Sequence, residues 1–200
     1  MKHIITIQHT QSEQHVNGMI GSWTDWELTA LGKARAENIG RKLADELKGQ
    51  SWKIICSDLI RTKQTAEPLA RYLGAEVEYR AKLREHNFGE AVGKSKQWAK
   101  ENALPVNSFE DRRFPGAESL REFWKRVECL HQEILAYEAE NIIVVSHTGT
   151  LWAWHRIWQG LDIQWFTSSS SMPGGVSFMM LDHEGKRMIT RLNDESYMER

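Results

Sequence analysis

The sequence is poor in the residues that mark several common protein classes. It holds two cysteines in 200 residues, Cys56 and Cys129. They lie far apart and form no metal or redox spacing. A disulfide framework and a cysteine-based metal site are therefore excluded, and both thiols are expected reduced in the core. Neither sign of charge prevails: 26 basic and 27 acidic side chains leave a formal net charge of -1. Non-specific nucleic-acid binding and binding to anionic membranes need a basic surface, so both classes fall away. No apolar run approaches the length that spans a bilayer, and no signal peptide opens the chain. Cytoplasm is the expected compartment. Internal repeats are absent, and the serine run at 168–171 reads as a loop.

What is present is ordinary for a soluble globular protein, with 40% hydrophobic and 26% charged residues. The length suits one domain, residues 1–200. The nine tryptophans are chiefly packing residues, with some free to line a pocket for an apolar group.

Strand and helix patterns alternate. "IITIQ" reads as a buried strand, followed by a loop through "NGMIGSWTDWE". Thr29 is a candidate helix cap, and Leu31, Ala34, Ile39 and Leu43 are spaced for one helix. "WKIIC" is a second strand. Ser57 and Asp58 then stand where they could cap a helix over "LIRTKQTAEPLARYL", with Pro68 expected to kink or break it. "AEVEYR" is a short strand. Residues 81–116 are polar and irregular, with a helical piece near "KSKQWAKEN", and the change in composition suggests a small cap or insertion. In "ESLREFWKRVECLHQEILAYEAE", Leu120, Phe123, Trp124, Val127, Leu130, Ile134 and Leu135 share a helix face. "NIIVVS" is another buried strand, and "TLWAWHRIWQG" a helix with Leu151, Trp154 and Trp158 on one stripe. His131 and His155 are expected to be solvated. "GGVSFMML" and "RMITRL" resemble a closing strand pair. This order predicts an α/β fold: a three-layer α/β/α sandwich around a mostly parallel sheet, with an antiparallel edge.

Two of the buried strands end in histidine, His9 and His147. In open α/β sheets ligands bind outside the carboxyl ends of the strands. A third strand leads into a helix whose first turn carries Arg61, and helix N-termini favour anions. Two imidazoles, an arginine and a helix N-terminus suit a phosphate group. A neutral histidine nitrogen is a competent nucleophile, and Glu85, in "LREHNFGE", could protonate a leaving oxygen. Glu90 and Glu78 are its acidic neighbours in sequence, and Glu90 and Glu13 are the alternative acids. His3, His9 and His15 match no common zinc spacing, and no metal or other cofactor is expected.

At these residues the chain resembles the histidine phosphatase superfamily, the phosphoglycerate mutase-like group. "QHTQSEQHVNGMIGSWTDWELTALG" resembles the family's opening Arg-His-Gly-Glu-Thr motif and the loop behind it. "CSDLIRTKQTAEPLA" matches its Ser-Asp-Leu-x-Arg-Thr-x-x-Thr-Ala motif. "LREHNFGEAVGKS" resembles the acidic segment, "VVSHTGTL" the second histidine motif, and "RLNDESYM" the C-terminal Asn-Asp close. The resemblance implies that His9 accepts the phosphoryl group, Arg61 binds its oxygens, His147 stabilises it in transfer and Glu85 is the general acid. It implies a small phosphorylated substrate and a metal-independent phosphomonoester hydrolase. Gln8, His15, Asn17 and Thr148 join Arg61 as expected phosphate contacts.

The chain departs from the family pattern at Gln8, which replaces an arginine, at Thr10, which replaces a glycine, and at His15 and Thr148. Gln8 donates hydrogen bonds but brings neither charge nor a bidentate fork. The expectation is that this position still faces the anion and that the missing charge slows transfer or narrows the substrate range. A catalytically impaired member that binds an anionic ligand or a partner is the main alternative, and a mutase the third reading. The oligomeric state is left open, a homodimer among the options.

Overall fold

The structure is a computed structural model that describes residues 1–165 and 171–199. Most of the serine run, 168–170, lies outside the described residues. The described strands form one six-stranded sheet in the order β3-β2-β4-β1-β5-β6. These are β1 (Lys2–Gln8), β2 (Lys53–Cys56), β3 (Val77–Tyr79), β4 (Asn141–Ser146), β5 (Val176–Leu181) and β6 (Arg187–Asp194). The pairings β1–β4, β2–β4 and β2–β3 are parallel, and β5 and β6 add the antiparallel edge. The helices are α1 (Ala30–Glu46), α2 (Ile60–Leu73), α3 (Lys96–Asn102), α4 (Leu120–Leu135) and α5 (Thr148–Trp158).

Side chains alternate across a strand, and this alternation sorts the two cores. Ile5, Ile7, Ile54, Cys56, Ile143 and Val145 pack with α1 and α2. Ile4, Ile55, Ile142 and Val144 pack with α4 and α5, against Phe123, Val127, Leu130, Trp154 and Trp158. A smaller cluster of Ala91, Ala99, Phe114 and Ala117 lies within the irregular stretch after β3. Gly40 of α1 lets that helix close on α2, because a Cβ there would strike the backbone at Pro68 and Leu69.

Several local expectations need correction. Thr29 does cap α1, its hydroxyl accepting from the Gly32 N–H. Leu31 is not on the inner face: it is 48% exposed, and Gly32, Ala36, Ile39, Gly40 and Leu43 turn inward instead. Ser57 and Asp58 do not cap α2. Leu59 is the N-cap residue, Ser57 bonds to His147 and Asp58 takes Arg84. The helix α2 continues through Pro68. Cys56 is buried, but Cys129 is exposed beside Lys82 and Glu133. His131 and His155 are buried rather than solvated, at 2% and 8% exposure. Each lies where its helix meets the core: His131 edge-on to Trp154, and His155 on the Thr6 hydroxyl of β1. Among the described residues, no helix is long and apolar enough to cross a membrane.

The two buried histidines set a pH response. Burial, and secondarily the Arg187 charge, pulls His131 down to about 4, and burial does the same for His155. In the unfolded chain both return to about 6.5. Between those values the unfolded chain holds protons that the folded chain refuses. Stability is therefore full above about pH 6.5 and falls as pH drops toward 4. His131→Phe should reduce that slope by up to about 1.4 kcal/mol per pH unit, one proton's worth. Urea unfolding across that pH range measures it, and equal slopes in both proteins would mean that His131 takes up its proton in the folded state.

Candidate active site

In the order β2-β4-β1 the three central strands end side by side. Ser57, His147 and His9 follow them at the same rim, and α2 brings Arg61 from the β2 side. His9 is buried on the face that carries Ile5 and Ile7. Its Nδ1–H donates to the Thr10 carbonyl at 2.8 Å. That bond fixes the tautomer and leaves the Nε2 lone pair exposed to the site. Arg61 Nε donates to Nε2 at 3.3 Å. The rest of the fork is occupied too: Nη1 donates to the Thr24 carbonyl at 2.7 Å and Nη2 to the Ser22 carbonyl at 2.6 Å. Arg61 is fully buried. Burial lowers its pKa to about 10, against the opposing pull of the Glu85 and Asp25 carboxylates, so it stays cationic near neutrality.

Thr10 is tied on both sides. Its N–H donates to Thr65 Oγ1, and its hydroxyl donates to the Gly32 carbonyl at 2.8 Å. The added bulk at this position is thus turned into the core and braces the turn behind His9.

The His147 ring lies edge-on to His9 with centroids 5.1 Å apart. Its Nε2 shares a 2.9 Å hydrogen bond with Ser57 Oγ. Its Nδ1 is buried and makes no hydrogen bond. A buried polar atom left so is costly in a native fold, and an anionic or hydroxyl ligand would satisfy it. Burial holds both histidines well below the ordinary imidazole value, with Arg61 next in effect, so both are neutral.

Glu85 stands at the start of α5. Oε2 accepts from the Gly149 N–H at 2.9 Å, and Oε1 from the Thr150 and His86 N–H groups at 3.2 and 2.9 Å. A helix N-terminus offers unpaired N–H groups and a favourable dipole to such a group. Gly149 is required here, because a Cβ would fall on Glu85 Oε1. The alternative acids Glu90 and Glu13 are both exposed, and Glu13 lies in the turn Glu13–His15.

The other expected contacts divide. The His15 ring lies 5.4 Å from that of His9, and its Nδ1 accepts from the Ser12 N–H. Asn17 is exposed, and its side chain caps the Met19 N–H. Gln8 corrects the expectation most directly. The strand β1 runs through it, so the alternation that sends His9 toward α2 sends Gln8 toward α5. The Gln8 side-chain Oε1 accepts from the Ser171 hydroxyl. With Thr148, Trp152 and His155 it lines a cavity of about 110 Å³. Among the described residues no hydrogen bond joins Gln8 to His9, Arg61 or His147.

Sequence reasoning missed Ser57, the carbonyls of Ser22 and Thr24, and the paired N–H groups of Gly149 and Thr150. The last had a signal in the small residue two positions after His147. The carbonyls had none, since backbone atoms carry no sequence identity. Among the described residues, no group of three or more His, Cys, Asp and Glu side chains is arranged to hold a metal ion.

Comparison with known proteins identifies the family and the fold. The family model of the histidine phosphatase superfamily, branch 1, matches residues 4–195. A protein of Hydrogenobacter thermophilus, provisionally named phosphoserine phosphatase 2, is 26% identical over 94% of each chain. A 2,3-bisphosphoglycerate-dependent phosphoglycerate mutase of Nitrobacter winogradskyi is 31% identical over 74% of this chain and 76% of its own. The alpha-ribazole phosphatase of Shigella flexneri has the same fold, with a TM-score of 0.85 at 21% identity over 96% of both chains. The histidines at the strand ends, the arginine between them and the matched length lead to one conclusion: this chain belongs to the histidine phosphatase superfamily, branch 1.

Proposed function

We propose that the protein hydrolyses small phosphomonoesters through a phosphohistidine on His9, without a metal ion. The observation that carries the reading is the fixed tautomer of His9, with Nε2 aimed at the Arg61 guanidinium. The Nε2 lone pair attacks phosphorus, and the bond to the leaving oxygen breaks as that oxygen takes the Glu85 proton. Water then attacks the phosphohistidine and gives its proton back to Glu85, so that phosphate leaves and His9 returns neutral. Arg61 and the open Nδ1 of His147 face the phosphoryl oxygens, with Thr148 and His15 at the margins. The stretch 81–116 serves as a small cap that presents Glu85. Phosphatases and mutases both occur among the relatives, and the relative named as a phosphatase aligns over 94% of this chain against 74% for the mutase. The cytoplasm is the compartment this reading assumes.

Gln8 favours a second reading, a binding protein on the same scaffold. Among the described residues that meet at His9, Arg61 alone supplies a fixed positive charge, because both histidines are held neutral. One experiment separates the two. Rapid acid-free quench with a radiolabelled aryl phosphate, in the presence of a chelator, should yield an acid-labile, base-stable label that His9→Ala lacks. Label that persists in His9→Ala would overturn the assignment, and phosphate-analogue binding without label would favour the binding protein.

A further inference from the structure

The segment that carries Glu85 has no regular structure after the turn Ala81–Leu83. An irregular segment usually leaves its carbonyls to water. Here five in succession are taken by side chains. Arg126 Nη1 donates to the carbonyls of Lys82 and Arg84, at 2.8 and 2.9 Å. Ser146 Oγ donates to Leu83, and Thr150 Oγ1 also to Arg84. The Glu85 carbonyl receives Trp23 Nε1 at 2.7 Å and Arg126 Nη2 at 3.1 Å. Ser22 Oγ donates to His86. One guanidinium thus supplies three of these seven bonds.

Arg126 is itself held. Its Nε and Nη2 pair with the two Glu118 oxygens, each at 2.7 Å, in the bidentate geometry that fixes a guanidinium plane. Their side chains are only 15% and 18% exposed. Glu118 completes the grip from the far side: Oε2 accepts from the Asn87 N–H, and its carbonyl accepts from His86 Nε2. The ion pair therefore holds the chain before and after Glu85. A buried ion pair is weak evidence for stability. Its value here lies in geometry, because proton transfer suffers from misplacement by about an ångström.

We propose that Arg126, oriented by Glu118, is the positioning residue that fixes Glu85 for proton transfer. Among the described residues no hydrogen bond or ion pair joins either side chain to His9 or Arg61; Arg126 bonds to Lys82, Arg84, Glu85 and Glu118. The proposal rests on Glu85 being the general acid. An acid matters most for a poor leaving group, so misplacing it should slow an alkyl ester more than an aryl one.

The test compares phosphoserine with 4-nitrophenyl phosphate in Arg126→Met, Arg126→Lys and Glu85→Gln. Lysine keeps the charge that His147 feels but loses the fork. It also serves if the methionine variant fails to fold. Both Arg126 variants should lose at least about tenfold more kcat/KM on phosphoserine than on the aryl ester. Inhibition by inorganic phosphate should stay within about threefold, since the anion contacts are untouched. Adding Arg126→Met to Glu85→Gln should bring no further change in the substrate ratio. If Glu85→Gln shifts the ratio and the Arg126 variants do not, the positioning role is wrong while the acid stands. If Glu85→Gln leaves the ratio unchanged, or the wild-type protein hydrolyses neither ester, the acid assignment fails and takes this proposal with it.

Discussion

Arg61→Met should lower kcat/KM on any accepted phosphoester by about 10³–10⁵, the range over which an arginine stabilises a transferring phosphoryl group. The geometry makes the effect large for three reasons. Arg61 is the fixed cation at His9 Nε2. The guanidinium is buried, so its field is little screened. Gln8 offers no second arginine to share the charge, since it lies toward α5 with Ser171. Arg61→Lys should recover part of the activity, because it restores charge without the planar fork. Inhibition by inorganic phosphate should weaken in the same order. The methionine variant also strands the Ser22 and Thr24 carbonyls. Each stranded buried acceptor costs roughly 1–3 kcal/mol, so thermal unfolding must be followed alongside kinetics. A folded Arg61→Met variant within tenfold of wild type would place the reacting phosphoryl group elsewhere.

The parts of this site that were legible in the sequence are those that depend on strand ends. His9 and His147 follow β-branched runs, and such runs stop where the parallel sheet meets its rim. Arg61 was legible because it follows the third such run by a fixed short turn. The central sheet and its antiparallel edge followed from the same alternation of strands and helices. Side-chain direction at element ends was not legible. Gln8 was expected to face the anion with His9, but β1 runs through Gln8 and its alternation turns the two side chains apart. His131 and His155 look polar on a helix diagram, yet tertiary packing buries them against tryptophan and threonine. Ser57 and Asp58 have cap chemistry, but long-range partners in His147 and Arg84 outcompete the helix end. In each case a contact distant in sequence overrode a local preference.

Glu85 and Gly149 offer a paired result in which activity and stability separate. Glu85→Gln keeps the size and one of the two acceptor oxygens but cannot act as the acid. It should slow phosphoserine hydrolysis by about 10²–10⁴, the range for a general acid, and 4-nitrophenyl phosphate far less. Gly149→Ala should reproduce that signature by displacement. The new Cβ would fall on Glu85 Oε1, the movable end of a flexible side chain, so the carboxyl swings away while the backbone keeps its place. Alanine is also a better helix former than glycine, by up to about 1 kcal/mol in a helix interior. Gly149 lies in the first turn of α5, so part of that gain should offset the hydrogen bonds Glu85 gives up. Melting temperature should therefore stay near wild type while the alkyl ester loses most of its rate. The pair is checked by measuring both esters and thermal unfolding in wild type and the two variants. If Gly149→Ala slows both esters equally, the acid has not been the group displaced. If Glu85→Gln treats both esters alike, Glu90 or Glu13 becomes the candidate acid, and either would have to bring an exposed carboxyl inward.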